Sequence, residues 1–361
     1  MTTLSTTPLP EWIADLAGLD GSMGSFVGGI VGALVIVSLL LAMSAVAGPW
    51  AKRKITAAFT DRIAVSRLGP FGLFFIVADS IRLLSKELII PENADRPAYD
   101  IAPIIIVLSA LLGFAIIPMG SIAGVEFQLA DPDSGLVLLF AFSSLATIGL
   151  VVGGYASANK YSTLGSLRSV AQSVAYEIPL VVIAISVVLL VGGLGESNAL
   201  ALSTIVEAQQ QELVSVAGLS IPAWFIFLNP FAFILFLVAS LAEVGRNPFD
   251  IPEAPTEIVA GYQTEYSSVY FVLFYLGEFL HIFLSAGIIT VLFLGGGSGP
   301  VLPGLVWFII KLWIIFLLTQ WARAALPRFR IDQLIAIGWK GLLVLSFANL
   351  ILTAVIVGVI V

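Results

Sequence analysis

The chain has 361 residues, 59% of them hydrophobic and 11% charged, with a formal net charge of −7 and a mean hydropathy of +1.07. That composition excludes an ordinary soluble protein and places the chain among polytopic membrane proteins. The absence of cysteine and the presence of a single histidine exclude disulfides, iron–sulfur ligation and a bis-histidine haem within the chain, so any redox centre has to belong to a partner.

A membrane span needs about 20 apolar residues, at about 1.5 Å per residue, to cross about 30 Å of hydrocarbon. Eight stretches qualify, near 24–48, 102–122, 135–154, 177–195, 223–242, 267–294, 303–322 and 333–360. The first 23 residues lack the basic region of a cleaved signal peptide, so the first stretch reads as a retained span. A further stretch at 69–87, "GPFGLFFIVADSIRLLSKE", places Leu73, Val77, Ile81 and Leu84 on one helical face and Asp79, Arg82 and Lys86 on another. It reads as an amphipathic helix lying at the membrane interface.

Charge placement tests this count. Lys52, Arg53, Lys54, Arg62 and Arg67 precede the interfacial helix, and Lys86 and Arg96 follow it. They share one side of the membrane only if that helix does not span. Lys160, Arg168, Arg246, Arg323, Arg328 and Arg330 then fall in alternate loops on the same side, which the positive-inside rule makes cytoplasmic, with both termini outside. The outer segments carry acids such as Glu126, Asp131 and Glu207 and no lysine or arginine. With a pI near 4.8, that acidic face suggests an exterior of high salt. Neither a soluble domain nor a repeat is evident, so residues 1–361 read as a single all-α membrane domain, multi-pass in the cell membrane.

The chemistry concentrates in "AEVGRNPFDIPEAPTEIVAGYQTEY", residues 242–266, where Glu243, Asp250, Glu253, Glu257 and Glu265 surround Arg246. Pro248, Pro252 and Pro255 forbid an unbroken helix, so the segment reads as a broken helix and loop on the cytoplasmic side. A solvent-exposed acidic loop would show the same acids, but Phe249, Ile251, Ile258, Val259 and Tyr262 are too apolar for one. Carboxylates clustered in a partly buried, partly wet pocket raise one another's pKa and become exchangeable proton sites. Glu278 and His281, three residues apart within a span, share a face, and an ionisable group at that depth faces a cavity or a partner. A local pair satisfying itself is the alternative. Lys311, in the next span, could pair with Glu278 or serve a proton path. Glu177 enters a span just ahead of Pro179, where the helix dipole alone would favour it.

Four segments together resemble a known family. "KRKITAAFTDRIAVSRLGPFGLFFIVADSIRLLSKE" is similar to its E-R-K, Q-x-R-x-G-P-N and G-P-x-G-L-x-Q-x-x-A-D-x-x-K-L-x-x-K-E run, and "GGYASANKYSTLGSLRSVAQSVAYEIPL" is the second match. Residues 242–266 are similar to A-E-x-x-R-x-P-F-D-L-x-E-x-E-x-E-L-V-x-G-x-x-x-E-Y, and "RAALPRFRIDQLIAIGWK" to R-x-x-x-P-R-F-R-x-D-Q-L-x-x-x-x-W-K. The chain thus resembles the H subunit (chain 1) family of NADH:quinone oxidoreductase, the complex I membrane component beside the quinone-reducing junction.

The resemblance implies eight transmembrane helices with an interfacial helix after the first, and a quinone chamber built on the cytoplasmic side. Two peripheral subunits would close that chamber, one of them carrying the terminal iron–sulfur cluster, and antiporter-like membrane subunits would lie beyond. Arg53, Arg62, Asp79, Arg246, Phe249, Asp250 and Arg323 match positions of the chamber or its entrance. Glu177, Glu243, Glu253, Glu257, Glu265 and Glu278 match acids of the proton route leaving it. No catalytic residue, metal site or covalent cofactor is expected in this chain, and the substrate would be menaquinone or ubiquinone. Some positions depart from the family pattern. Pro255 stands where the family has an acid, Lys52 replaces the acid of E-R-K, and Thr60, Ala64 to Ser66 and Phe75 replace further entrance residues. These departures point toward an archaeal type of member. The homologous subunit of a membrane-bound hydrogenase or of a reduced-deazaflavin dehydrogenase is the nearest alternative. A stand-alone secondary transporter is a more distant one, without an inverted repeat to support it. No basic cluster stands clear of the membrane flanks to suggest a nucleic-acid partner.

Overall fold

The computed structural model describes residues 7–18, 21–216, 219–252 and 257–360. Helix α1 (Leu9–Ala17) precedes α2 (Gly21–Leu41), which runs through a π-helical turn (Ala42–Ala47) into α3 (Gly48–Phe59). The first span therefore extends to Phe59, past its expected end at 48. Pro49 cannot donate to the preceding turn, and the wider π turn before it accommodates the missing hydrogen bond without ending the helix. This extension projects Lys52, Arg53 and Thr56 as one continuation of the span.

The expected interfacial helix is shorter than 69–87: a 3-10 turn (Pro70–Gly72) leads into α4 (Leu73–Leu84), 12 residues long and too short to cross a bilayer. Ile76 is its buried contact, whereas Val77, Ile81 and Leu84 are exposed. Asp79 is turned toward the chain by an ion pair of 2.6 Å with Arg53, while Arg82 and Lys86 stay exposed.

The remaining helices are α5 (Arg96–Ile116), α6 (Gly135–Ala156), α7 (Lys160–Gly193), α8 (Leu202–Ala208), α9 (Phe225–Leu228), α10 (Pro230–Glu243), α11 (Ser268–Phe293), α12 (Gly304–Ala325), α13 (Ile331–Ala336) and α14 (Leu343–Ile360). A second π turn (Ile337–Leu342) joins the last two into one helix. Helix α7 begins far ahead of the expected 177, continuing through Pro179, with the Asn159 side chain accepting from the Tyr161 amide to cap its start. Short strands, Thr7–Pro8, Ser121–Ile122 and Val125–Glu126, form one small sheet, and Glu212–Val216 with Leu219–Pro222 form a hairpin.

Among the described residues, seven helices are long and apolar enough to cross a membrane. The stretch expected as an eighth span, 223–242, is divided at Asn229 into α9 and the 14-residue α10. Asn229 caps α10 by accepting from the Ala232 amide and donates to Thr353 of α14 at 2.8 Å. The protein is an all-α polytopic membrane protein. Helix α11 lies at its centre, with 78% of its most apolar stretch buried, against 28% for α6. It packs on α5 and α12, while α7 packs on α6, α10 and α14.

Candidate functional site

Helix α10 ends at Glu243, and Gly245 in the left-handed region (φ +67°) turns the chain so that Arg246 points back into the protein. Its guanidinium, with only 4% of the side chain exposed, forms an ion pair of 2.6 Å with Glu278 of α11 and stacks 5.0 Å from the Phe279 ring centre. Gln172 of α7 holds this turn in place, donating to the carbonyls of Ala242 at 2.5 Å and Phe249 at 2.9 Å. The Phe249 ring is gripped between Tyr176 and Phe329, so it anchors the loop in the core. Asp250 is buried beside Arg328 at 3.2 Å. Burial pushes its carboxyl above the usual range, and the guanidinium opposes that rise.

Two cavities meet at this turn. One, of about 80 Å³, is lined by Glu243, Glu278 and His281 together with the hydroxyls of Ser143, Thr147 and Ser173. The other, of about 40 Å³, shares Glu243, Glu278 and Tyr262 with it and reaches Ser169 and Gln172. His281 lies 3.1 Å from both the Ser109 hydroxyl and the Ile106 carbonyl of α5. Glu278 therefore pairs with Arg246, and not with its neighbour in the helix. Gly165 of α7 permits the close approach of the loop that brings Tyr262 to the cavity wall: a Cβ there would meet Gly261 Cα and Tyr262 N at 2.8 Å. Gly165→Val is expected to cost about 1–3 kcal/mol through overpacking and to loosen that wall. A complex melting at the wild-type temperature would contradict so tight a contact.

A larger cavity of about 520 Å³ opens between α3, the loop after it, residue Asn247 and the end of α12. Arg53, Arg62 and Arg323 line it, as does Lys52. Asp79 supports it from behind through Arg53. Of the residues expected for the proton route, Glu243 and Glu278 come together at the smaller cavities. Glu177 lies one turn beyond Ser173 on α7. Glu257 pairs with Arg168 at 2.6 Å near the surface, 53% exposed. Glu265 accepts from Asn159 at another edge of the protein. Glu253 and Pro255 lie outside the described residues.

Lys311 sits elsewhere. Its ammonium donates to the carbonyls of Leu294 (2.6 Å), Gly296 (2.9 Å) and Ser298 (2.6 Å) and lies 4.2 Å from the Trp224 ring centre. Leu294 follows the end of α11, about 24 Å along the helix from Glu278 at 1.5 Å per residue, so the two do not pair. Lys311→Met removes charge-assisted hydrogen bonds worth about 1.5–3 kcal/mol each and is expected to lower the melting temperature. Protons pumped per electron should be unchanged in the complex that assembles, and a fall in that ratio would return Lys311 to the proton path.

Sequence reasoning missed the hydroxyl residues of the cavities. Their signal is a run of small polar residues inside apolar stretches, at helical spacing in the pairs Ser143 and Thr147 on α6 and Ser169 and Ser173 on α7, with Ser285 on α11. Thr147 donates to Ser173 across the helix pair at 3.0 Å.

An ion pair of a buried arginine with a carboxylate, a buried aspartate and a cavity lined by basic residues mark this as a polytopic membrane protein that holds ionisable groups within its helical bundle. Residues 31–354 match the NADH dehydrogenase family, and the chain belongs to that family. It is similar to the H subunit of NADH-quinone oxidoreductase from Dehalococcoides mccartyi strain CBDB1, with 43% identity over 89% of this chain and 83% of the relative. The corresponding figures are 41%, 89% and 94% for the H subunit of the Thermomicrobium roseum enzyme, and 40%, 96% and 98% for that of Geobacillus kaustophilus. These relatives are bacterial, which corrects the archaeal expectation: the departures at Lys52, Thr60 and Phe75 coexist with at least 40% identity to bacterial chains.

Proposed function

We propose that this chain is the quinone-chamber and proton-coupling membrane subunit of a complex I-like, proton-translocating NADH:quinone oxidoreductase. The observation that carries the reading is the Arg246–Glu278 ion pair. Asn247, next to Arg246, lines the basic cavity, and Glu278 lines both acidic ones. One buried contact thus joins the wall of a chamber to a set of proton-exchanging groups.

The chamber suits a quinone: Ala57, Ile63, Ala64 and Val65 offer apolar wall, and guanidiniums offer hydrogen bonds to ring oxygens. Electrons would come from an iron–sulfur cluster in a peripheral partner, with a second peripheral subunit closing the chamber. Reduction of the quinone to quinol takes two electrons and two protons, and electrons that arrive ahead of the protons place transient negative charge near Arg246 until protonation cancels it. That charge draws on Arg246 and loosens its hold on Glu278, so Glu278 and Glu243 take up protons, which they release once the neutral quinol has formed. Glu177, Glu253, Glu257 and Glu265 would extend the route toward antiporter-like membrane subunits. In this reading the chain is one membrane domain of eight spans, with α9 and α10 forming a broken one. It lies in the cell membrane with both termini outside.

The test is to purify the intact complex, identify its soluble subunits and assay it with NADH and with menaquinone and ubiquinone analogues. Quinone-dependent NADH oxidation coupled to proton uptake is the expected result. Hydrogen evolution without a quinone requirement would overturn it in favour of a membrane-bound hydrogenase.

A further inference from the structure

His281 lines the cavity of about 80 Å³ together with Glu243 and Glu278, outside the ion pair that Glu278 makes with Arg246. Three residues apart on α11, Glu278 and His281 are neighbours on the helix surface, with Cβ atoms about 5–6 Å apart. The tautomer of the ring follows from its contacts. Its Nε2 lies 3.1 Å from the Ile106 carbonyl, which can only accept, so Nε2 carries a hydrogen. The Ser109 hydroxyl, also 3.1 Å from Nε2, donates its own hydrogen to that same carbonyl at 2.8 Å. Anchoring α11 to α5 thus occupies Nε2 alone, and in the neutral ring Nδ1 is the nitrogen with a lone pair. Hydroxyls of Ser143, Thr147 and Ser173 line the same space, which is polar and roomy enough for water to connect Nδ1 with the two carboxylates. Among the described residues, the charged groups bordering this space are those of Glu243 and Glu278, and none comes from α5, α6 or α7.

We propose that His281 is a proton-carrying residue of this cavity: its Nδ1 takes the proton that Glu278 gives up when Arg246 reclaims the carboxylate, and passes it to Glu243. In the first transfer the O–H bond of Glu278 breaks and an Nδ1–H bond forms, giving an imidazolium. In the second that N–H bond breaks and an O–H bond forms on Glu243, once its own proton has left. No electron moves. Because the proton enters and leaves at one nitrogen, the hydrogen bond from Nε2 to Ile106 stays made and the ring need not turn over. The inference rests on the proton-coupling reading above.

Glutamine and glutamate are close in shape, and only glutamate can take up and release a proton. Proton pumping by the purified complex in vesicles is therefore compared for wild type, His281→Gln and His281→Glu, with the amount of assembled complex measured alongside. His281→Gln keeps an N–H donor for the Ile106 carbonyl, so it is expected to assemble while pumping falls about tenfold, a modest value for the loss of a positioned proton-transfer group. His281→Glu is expected to pump within about threefold of wild type, because its carboxyl can donate to Ile106 and still exchange a proton at the same place. Equal pumping by the two variants overturns the proposal, whether both match wild type or both fall, since proton exchange at this position would then decide nothing. Glu243→Gln in the same vesicles is the reference. Pumping lost there and kept in His281→Gln overturns the role of His281 alone, whereas pumping kept in both overturns the proton-coupling reading as well.

Discussion

Replacing Arg246 with methionine is expected to cost about 3–5 kcal/mol and to remove most of the assembled complex, because it strands a buried carboxylate without its partner. Glu278 is only 12% exposed and its ion pair with Arg246 spans 2.6 Å. The same change leaves Phe279 without the guanidinium over its face. Glu278→Gln is milder for assembly, since an amide oxygen can still accept from Arg246, but it cannot exchange a proton, so pumping should fall further than assembly does. Assembly failing alone in Glu278→Gln would reduce the pair to a structural role. The double replacement Arg246→Met with Glu278→Leu removes both charges and is expected to recover assembly without pumping. If it does not recover assembly, the stranded charge is not the source of the cost. The amount of intact complex in membranes and its melting temperature are the readouts.

Glu243→Gln is expected to lower proton pumping and coupled quinone reduction by at least about tenfold, the scale of losing one positioned proton-transfer group, with the complex still assembled. Glu243 faces both of the smaller cavities, so a neutral side chain there interrupts the track at its junction. Alanine in place of Glu257 should also impair activity, but less. Its pair with Arg168 is 53% exposed on the carboxylate side, and an exposed pair contributes about 0.2–1 kcal/mol to stability. Undiminished pumping in Glu243→Gln, measured in vesicles holding the purified complex, would remove Glu243 from the route.

The spans of uninterrupted apolar sequence were legible: Gly135–Ala156 and Ser268–Phe293 fall close to their expected limits. Two prolines near expected span limits do not mark helix ends. Pro49 and Pro179 lie inside continuous helices, because a π turn before Pro49 and close packing around Pro179, itself buried, stabilise what local propensity alone would break. Asn229, with no proline-like reputation, divides the stretch expected as a span, since its side chain finds both the Ala232 amide and Thr353. The acids of 242–266 announced a polar site, but which of them meet was set by tertiary contacts. The Arg246–Glu278 pair joins residues 32 apart on different elements, and no spacing rule encodes it. Lys311 was legible as a buried charge and illegible as a helix-end clamp, because its partners are backbone carbonyls that every residue possesses. The apolar stripe of α4 was legible as a pattern, while the contact of Asp79 with Arg53, 26 residues away, was not.

Photoaffinity labelling of the purified complex with an azido-quinone, followed by mapping of the labelled peptides, tests most directly whether this chain walls a quinone chamber. Labels are expected within 52–65 and at 246–250 or 323–324, in competition with unlabelled quinone. Labelling confined to other subunits, or insensitive to competing quinone, would contradict the account.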